Sequence, residues 1–173
     1  MRQTLLLIAL LFHTLLFAQS DLFKPQSEMI GTTLKELTIT DYLQNKPEDT
    51  NFNNKFKVLE FWATWCRPCL KAIPHLNKLQ NKYKNRNIVF LSFTYQKPEE
   101  TLKTLQKVKF ETIVVSDQTR KTQRSLKVEN NGTLPIPRTV LIDDENKIVW
   151  YGSPEKLTEK IIEKFLRKEK LTE

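Results

Sequence analysis

The feature that most constrains the fold of this chain is a pair of cysteines, Cys66 and Cys69, placed between an apolar run and an amphipathic run. Residues 58–63 are continuously apolar apart from Glu60, which predicts a buried strand. Residues 67–84 place apolar side chains three or four positions apart, which predicts a helix. The cysteines are therefore expected where a strand passes into a helix.

Strands and helices alternate after this point. Strands are predicted at residues 88–94 and 112–116, with a helix at residues 99–107 between them. Such alternation is typical of parallel strands joined by helices. The rest of the chain predicts a short helix that Asp117 begins, over residues 117–126. An antiparallel hairpin is predicted over residues 138–151 and a C-terminal helix over residues 157–166.

The first twenty residues have the pattern of a secretory signal peptide. Arg2 precedes an apolar run over residues 5–17 that is broken only by His13 and Thr14, and Ala18 and Ser20 offer the small side chains that signal peptidase reads. The run is shorter than the roughly 20 apolar residues that cross a bilayer, which disfavours the alternative of an uncleaved membrane anchor. We expect cleavage near Ser20, export to the periplasm, and no stable membrane insertion afterwards.

The composition of the whole chain is that of one soluble domain. Of the 173 residues, 39% are hydrophobic and 28% are charged. After the signal peptide (residues 1–20) we expect an irregular N-terminal extension over residues 21–56, with a possible strand at residues 34–40, and one domain over residues 57–173. The formal charge of +8 is spread over segments that also carry acidic residues, which indicates solvated faces and no nucleic-acid partner.

The spacing of the cysteines favours redox chemistry over a structural bridge. Exported proteins commonly contain structural disulfides, but a bridge across two residues closes a very small loop and stabilises little. Cys66 begins the predicted helix, where unpaired N–H groups, the helix dipole and the charge of Arg67 favour a thiolate. Cys66 is the expected nucleophile. Cys69 lies almost one turn further on to resolve a mixed disulfide, and Pro68 fits the first turn.

Glu60 is the second informative residue, because it interrupts an otherwise apolar strand. A carboxylate is costly to bury, and burial raises its pKa toward neutrality. A carboxylate of that kind can accept the proton of Cys69 when this thiol must attack. The alternative is that Glu60 reaches the edge of the sheet and meets a lysine such as Lys57.

Two segments resemble a known family. Residues 60–69 (Glu-Phe-Trp-Ala-Thr-Trp-Cys-Arg-Pro-Cys) resemble the active-site segment of thioredoxins, especially the TlpA-like periplasmic thiol-disulfide oxidoreductases. The run Ile-Pro-Arg-Thr-Val-Leu-Ile-Asp, which begins at Ile136, resembles a second segment of that family. The resemblance implies a thioredoxin-like α/β fold, with a central mixed sheet flanked by helices on both faces. It also assigns the proton acceptor to Glu60 and a structural kink to Pro74, whose mid-helix position otherwise costs about 3 kcal/mol.

The resemblance also implies a substrate-binding surface. Pro137 is expected to follow a cis peptide bond, and the backbone of Ile136 to pair with an extended substrate segment. Trp62 is expected in the core and Trp65 at the rim of the active site. The expected substrate-binding residues are Trp65, Arg67, Pro68, Ile136, Pro137 and Arg138.

Three positions depart from the family pattern. Ala72 stands where relatives that serve cytochrome c maturation often carry Glu, and Leu91 where thioredoxins place a lysine near the buried acid. Arg138 stands where small or hydroxyl residues are common. At that position Arg138 predicts a preference for acidic substrates or partial shielding of the site.

The expected function is two-electron exchange between the Cys66/Cys69 dithiol and protein disulfides, more as a reductase than as an oxidase. The resemblance implies a membrane thiol transporter as electron donor, and no cofactor. A thiol peroxidase is an alternative, although peroxiredoxin-type enzymes place Thr or Ser where this chain has Ala63. A second alternative is a non-enzymatic peptide-binding module that uses the groove beside Pro137.

No metal site is expected. A structural zinc needs four Cys or His ligands, and the chain after Ser20 holds only the two cysteines and His75. We interpret His75 as an ordinary helix residue.

Overall fold

The computed structural model describes residues 26–171, so the predicted signal peptide lies outside the described residues. Within this range, six strands form one sheet in the order β1-β4-β3-β2-β5-β6. The strands are β1 (Asp41–Gln44), β2 (Phe56–Phe61), β3 (Ile88–Thr94), β4 (Ile113–Ser116), β5 (Arg138–Ile142) and β6 (Ile148–Gly152). The complete helices of this range are α1 (Arg67–Tyr83), α2 (Pro98–Lys107), α3 (Lys121–Ser125) and α4 (Glu159–Leu166), with a 3₁₀ turn at Pro154–Lys156 before α4.

Strand β2 lies in the interior of a mixed sheet. It pairs in parallel with β3 and antiparallel with β5. Strand β4 runs parallel to β3, while the two edge strands, β1 and β6, pair antiparallel with their neighbours. This arrangement confirms the predicted α/β fold and puts the carboxyl end of β2, where α1 begins, in the middle of the sheet.

The two faces of the sheet have separate apolar cores, because side chains alternate along β2. On the first face, Phe56 and Val58 pack with residues of α1 and α4, and the Phe56 and Phe165 rings meet edge to face at 4.9 Å. On the second face, Leu59 and Phe61 pack with residues of the N-terminal segment and with Leu126 after α3. The longer helices therefore cover the first face, which is the one that carries the cysteines.

The predicted strand at residues 34–40 is wrong, since the first strand, β1, begins at Asp41. The backbone of this segment is used differently: the N–H of Thr38 donates to the hydroxyl of Thr122 at 3.0 Å. Leu34 packs into the second core, which explains the apolar residues that suggested a strand. Strand β1 pairs with β4, so the N-terminal segment contributes an edge strand to the sheet.

The helix predicted from Asp117 starts later than expected, because Asp117 closes a turn before it. The Asp117 carboxylate accepts hydrogen bonds from the backbone N–H groups of Thr119 and Thr122, at 3.1 and 2.7 Å. The helix, α3, is therefore only five residues long. None of the helices within residues 26–171 has the length and apolar character needed to cross a membrane.

Candidate active site

Cys66 and Cys69 form a disulfide at the N-terminus of α1. Cys66 is the N-cap residue, and its Sγ accepts a hydrogen bond from the backbone N–H of Cys69 at 3.3 Å. The N–H of Cys66 donates to the carbonyl of Ala63 at 3.0 Å, which closes a turn over residues 63–66 that we call the cysteine turn. This position puts the Cys66 sulfur at the N-terminus of α1, where helix N–H groups and the helix dipole favour a thiolate.

The disulfide lies below a rim of exposed side chains. Cys66 is only 3% exposed, whereas Trp65 is 61% exposed, and Arg67 and Pro68 are also exposed. Trp62, by contrast, is fully buried and packs against Phe110. Trp62 thus lies in the core and Trp65 at the rim, the positions predicted for them.

Glu60 is buried near the carboxyl end of β2, with 2% of its surface exposed. Its side chain lies on the first face, the face that also carries Cys69, and the Cys69 Sγ is 4.0 Å from the carbonyl oxygen of the adjacent Phe61. The hydroxyl of Thr139 donates to Glu60 Oε2, whereas Oε1 has no hydrogen-bond partner among the described residues.

Burial raises the pKa of Glu60 to about 8. The charge of Glu155 adds to this increase, while the hydrogen bond from Thr139 and the charge of Arg138 oppose it. The raised pKa agrees with the predicted effect of burial, and the role of Glu60 as the proton acceptor of Cys69 stays a prediction.

The alternative pairing of Glu60 with Lys57 is wrong. Lys57 is an odd-numbered residue of β2 and points to the second face of the sheet. Its Nζ donates instead to the carbonyl of Lys55 at 2.7 Å and to Asn146 Oδ1 at 2.9 Å.

The comparison of Leu91 with the family's lysine was also wrong, because Leu91 pairs with Leu59 and lies on the second face. The β3 residue opposite Glu60 is Ser92, whose hydroxyl hydrogen-bonds with that of Thr112 at 2.7 Å. The sequence interpretation missed Thr139 as the partner of Glu60. The sequence feature that could have indicated this partner is the hydroxyl residue Thr139, directly before the apolar residues of β5, the strand that pairs with β2.

The peptide bond between Ile136 and Pro137 is cis, as predicted. Pro137 directly precedes β5, whose first residue, Arg138, lies opposite Phe61 at the carboxyl end of β2. Pro137 is therefore placed at the end of the sheet where the cysteine turn begins. Ile136 is partly buried and contacts both cores.

Arg138 lies on a different face from Glu60. Its register partner, Phe61, belongs to the second core, and its guanidinium group is 5.8 Å from the centre of the Tyr151 ring. This direction places the Arg138 side chain on the second face beside Tyr151, from where its charge still lowers the pKa of Glu60.

Two further residues lie on α1. Pro74 is exposed within the helix, which continues to Tyr83.

His75 Nε2 hydrogen-bonds with the carbonyl of Leu157 at 2.8 Å, so the imidazole joins α1 to the segment before α4. This packing role agrees with the interpretation of His75 as an ordinary helix residue.

Comparison with known proteins gives a consistent result. The model of the Redoxin family matches residues 29–166, a range that contains every predicted site residue. The thiol-disulfide oxidoreductase ResA of Bacillus thuringiensis subsp. konkukian is 28% identical over 148 residues, covering 84% of this chain and 81% of the relative. A ResA protein of Bacillus cereus is 31% identical over 123 residues, covering 69% of this chain and 67% of the relative.

A solved structure supports the same fold. A protein of Chlorobium tepidum, assigned as a thiol:disulfide interchange protein DsbE, aligns with a TM-score of 0.59 and 25% identity. The alignment covers 76% of this chain and 99% of that protein.

Proposed function

This chain belongs to the Redoxin family, and on that premise we propose that it is a thiol-disulfide oxidoreductase that reduces protein disulfides. The oxidoreductase activity is that of its ResA relatives, and the chain carries the required pair as the Cys66–Cys69 disulfide. The observation that carries the proposal is the position of this disulfide at the N-terminus of α1, on the same face of the sheet as the buried Glu60.

The reaction begins with the reduced pair. The Cys66 thiolate attacks one sulfur of a substrate disulfide, the substrate S–S bond breaks, and the other substrate sulfur leaves as a thiolate. The product is a mixed disulfide between Cys66 and the substrate. The N-terminus of α1 favours this step, because its N–H groups and dipole stabilise the attacking thiolate.

Cys69 then resolves the mixed disulfide. Its thiol gives a proton to Glu60, and the resulting thiolate attacks Cys66 Sγ. The bond between Cys66 and the substrate breaks, and the second substrate sulfur leaves as a thiolate. Two electrons have then passed to the substrate, and the Cys66–Cys69 disulfide of the structure is the product state.

The buried Glu60 supports the reducing direction of the proposal. A carboxyl group with a pKa of about 8 is half ionised at that pH, so it can take up the Cys69 proton and release it to solvent afterwards. This helps Cys69 to close the disulfide, which is the step that a reductase must complete in each cycle.

The substrate-binding surface is formed by exposed residues around Cys66. Trp65, Arg67 and Pro68 surround the sulfur on the α1 side, and we assign Ile136 and Pro137 to the opposite wall. An extended substrate segment would add to the backbone at Ile136 as a further strand. Arg138 lies near the Tyr151 ring, and we assign it a contribution to the positive charge at the margin of this surface.

The cellular context is also part of the proposal. The signal-peptide pattern of residues 1–20 supports export to the periplasm. There the oxidised pair needs an external source of two electrons, and we assign this role to a membrane thiol transporter.

The test is to trap the mixed disulfide. Cys69→Ser cannot resolve the intermediate, so this variant, expressed in its own cell, should accumulate covalent adducts that a thiol reductant releases. Cys66→Ser is the matched control and should accumulate none, because it lacks the nucleophile. Two results would contradict the proposed reductase. One is the absence of adducts from Cys69→Ser, and the other is a parent protein whose Cys66 and Cys69 are found in the cell only as the disulfide.

A further inference from the structure

The cysteine turn is held by the side chain of Gln96. Gln96 Oε1 accepts a hydrogen bond from the backbone N–H of Thr64 at 2.7 Å, and its Nε2 donates to Thr64 Oγ1 at 3.0 Å. Thr64 is two residues before Cys66. A side-chain amide offers an acceptor and a donor next to each other, so Gln96 binds the backbone and the side chain of the same residue.

Gln96 is itself fixed to the ends of two strands. Its backbone N–H donates to the hydroxyl of Thr94 in β3 at 3.3 Å, and its carbonyl accepts from the hydroxyl of Ser116 in β4 at 2.7 Å. Thr94 and Ser116 are fully buried, and Gln96 is 8% exposed. The amide is therefore presented to Thr64 from a rigid part of the sheet.

The neighbouring residue supports the same turn. The Trp65 Nε1 donates to the hydroxyl of Tyr95 at 3.1 Å, and the guanidinium group of Arg120 lies 4.1 Å from the centre of the Tyr95 ring. Two consecutive residues after β3 thus bind two consecutive residues of the cysteine turn.

These contacts have different importance in the two redox states. In the oxidised protein, the covalent bond to Cys69 holds Cys66 at the N-terminus of α1. Reduction opens this bond, and the position of Cys66 then depends on the turn that precedes it together with the hydrogen bond from the Leu70 N–H to the Cys66 carbonyl at 3.1 Å. Thiolate stabilisation needs the sulfur close to the helix N–H groups, so movement of the turn would make Cys66 less reactive.

We propose that Gln96 is a positioning residue, which holds the cysteine turn in place when the Cys66–Cys69 bond is open and so keeps the Cys66 sulfur at the N-terminus of α1. This inference rests on the proposed function, since it concerns the reduced form that attacks substrate. Gln96 acts through Thr64 and does not touch the reacting sulfur.

The first test replaces Gln96 with methionine, which has a similar length but no amide. In a Cys69→Ser background, the thiolate absorbance of Cys66 should titrate about one pH unit higher in Gln96→Met, and attack on a model protein disulfide at neutral pH should slow about tenfold. The matched control is Gln118→Met, because Gln118 is exposed and binds Asp41 at 2.6 Å. Gln118→Met should leave both measurements unchanged.

The second test uses Thr64→Val, which removes the hydroxyl contact and keeps the backbone N–H. It should shift the Cys66 titration in the same direction by a smaller amount, and the double variant should shift it no further than Gln96→Met alone, since both act through one contact. If Gln96→Met does not fold, Thr64→Val alone decides.

The two proposals fail in different ways. If the parent protein exchanges thiols but Gln96→Met, or Thr64→Val in its place, shows an unchanged Cys66 titration and attack rate, the positioning role is overturned and the oxidoreductase stands. If the parent protein exchanges no thiols with any protein disulfide, the proposed function itself fails.

Discussion

Thr139 and Glu60 form a hydrogen bond across the interior of the sheet, with the Thr139 hydroxyl as donor and Glu60 Oε2 as acceptor. The two residues lie opposite each other on β5 and β2 and are 79 positions apart in the sequence. The hydrogen bond from Thr139 fixes Oε2. Oε1 has no hydrogen-bond partner among the described residues, so no donor there occupies the oxygen that could accept a proton. This arrangement suits a group that must take up and release a proton.

Replacement of Thr139 tests this relationship. Thr139→Val keeps the shape of the side chain but removes the donor, and the hydrogen bond lowers the pKa of Glu60. We therefore expect the pKa of Glu60 to rise further above its ordinary value. The pH profile for resolution of the mixed disulfide, measured by rapid quench, should move to higher pH. Thr139→Ser retains the hydroxyl and should keep the parent profile; a parent-like profile for Thr139→Val would contradict the role.

Glu60→Gln tests the proton acceptor directly. The amide cannot take the Cys69 proton, so resolution should slow at least about tenfold at pH 8, while the first attack by Cys66 changes little. Rapid-quench gels should then show the mixed disulfide accumulating. Glu48→Gln is the matched control, since Glu48 is exposed. Equal slowing of both steps would indicate a structural defect and count against the assignment.

The stability of the oxidised protein should also depend on Glu60. Its folded pKa of about 8 lies above the ordinary value of 4.5, so folding favours the protonated carboxyl. This contribution is complete below pH 4.5 and is lost as the pH rises through 8. Glu60→Gln should therefore gain free energy of unfolding relative to the parent over this range, by on the order of a few kcal/mol, as measured by urea denaturation. A difference that is constant with pH would contradict the raised pKa.

The sequence predicted the elements next to the cysteines well, because local patterns determine them. Strand β3 (Ile88–Thr94) has the predicted bounds, and α1 (Arg67–Tyr83) differs by one residue at its end. Both have strong apolar periodicity, and Cys66 and Pro68 mark the start of the helix. The cis bond at Pro137 was predictable only from the resemblance, since a proline at a strand start has simpler explanations.

The contacts between distant residues were not predictable in the same way. Leu91 was compared with a residue of the opposite face because a shift of one position in strand register reverses the side chains. The hydrogen bond between Glu60 and Thr139 depends on which strand pairs with β2. The hydrogen bond between Gln96 and Thr64 depends on two loops that meet at one end of the sheet. Such pairings depend on the topology, which local patterns do not specify.

Trp65 provides a test of substrate binding that is separate from the acid chemistry. The residue is 61% exposed and precedes Cys66, so Trp65→Ala should lower kcat/KM for a protein disulfide about tenfold, mainly through KM, with little loss of stability. Trp65→Phe loses the contact with the Tyr95 hydroxyl but keeps an aromatic surface, and should retain most of the activity. Leu102→Ala is the matched control, since Leu102 is an apolar side chain on α2 with 55% exposure. Equal kcat/KM values for Trp65→Ala and Leu102→Ala would exclude Trp65 from the substrate-binding surface.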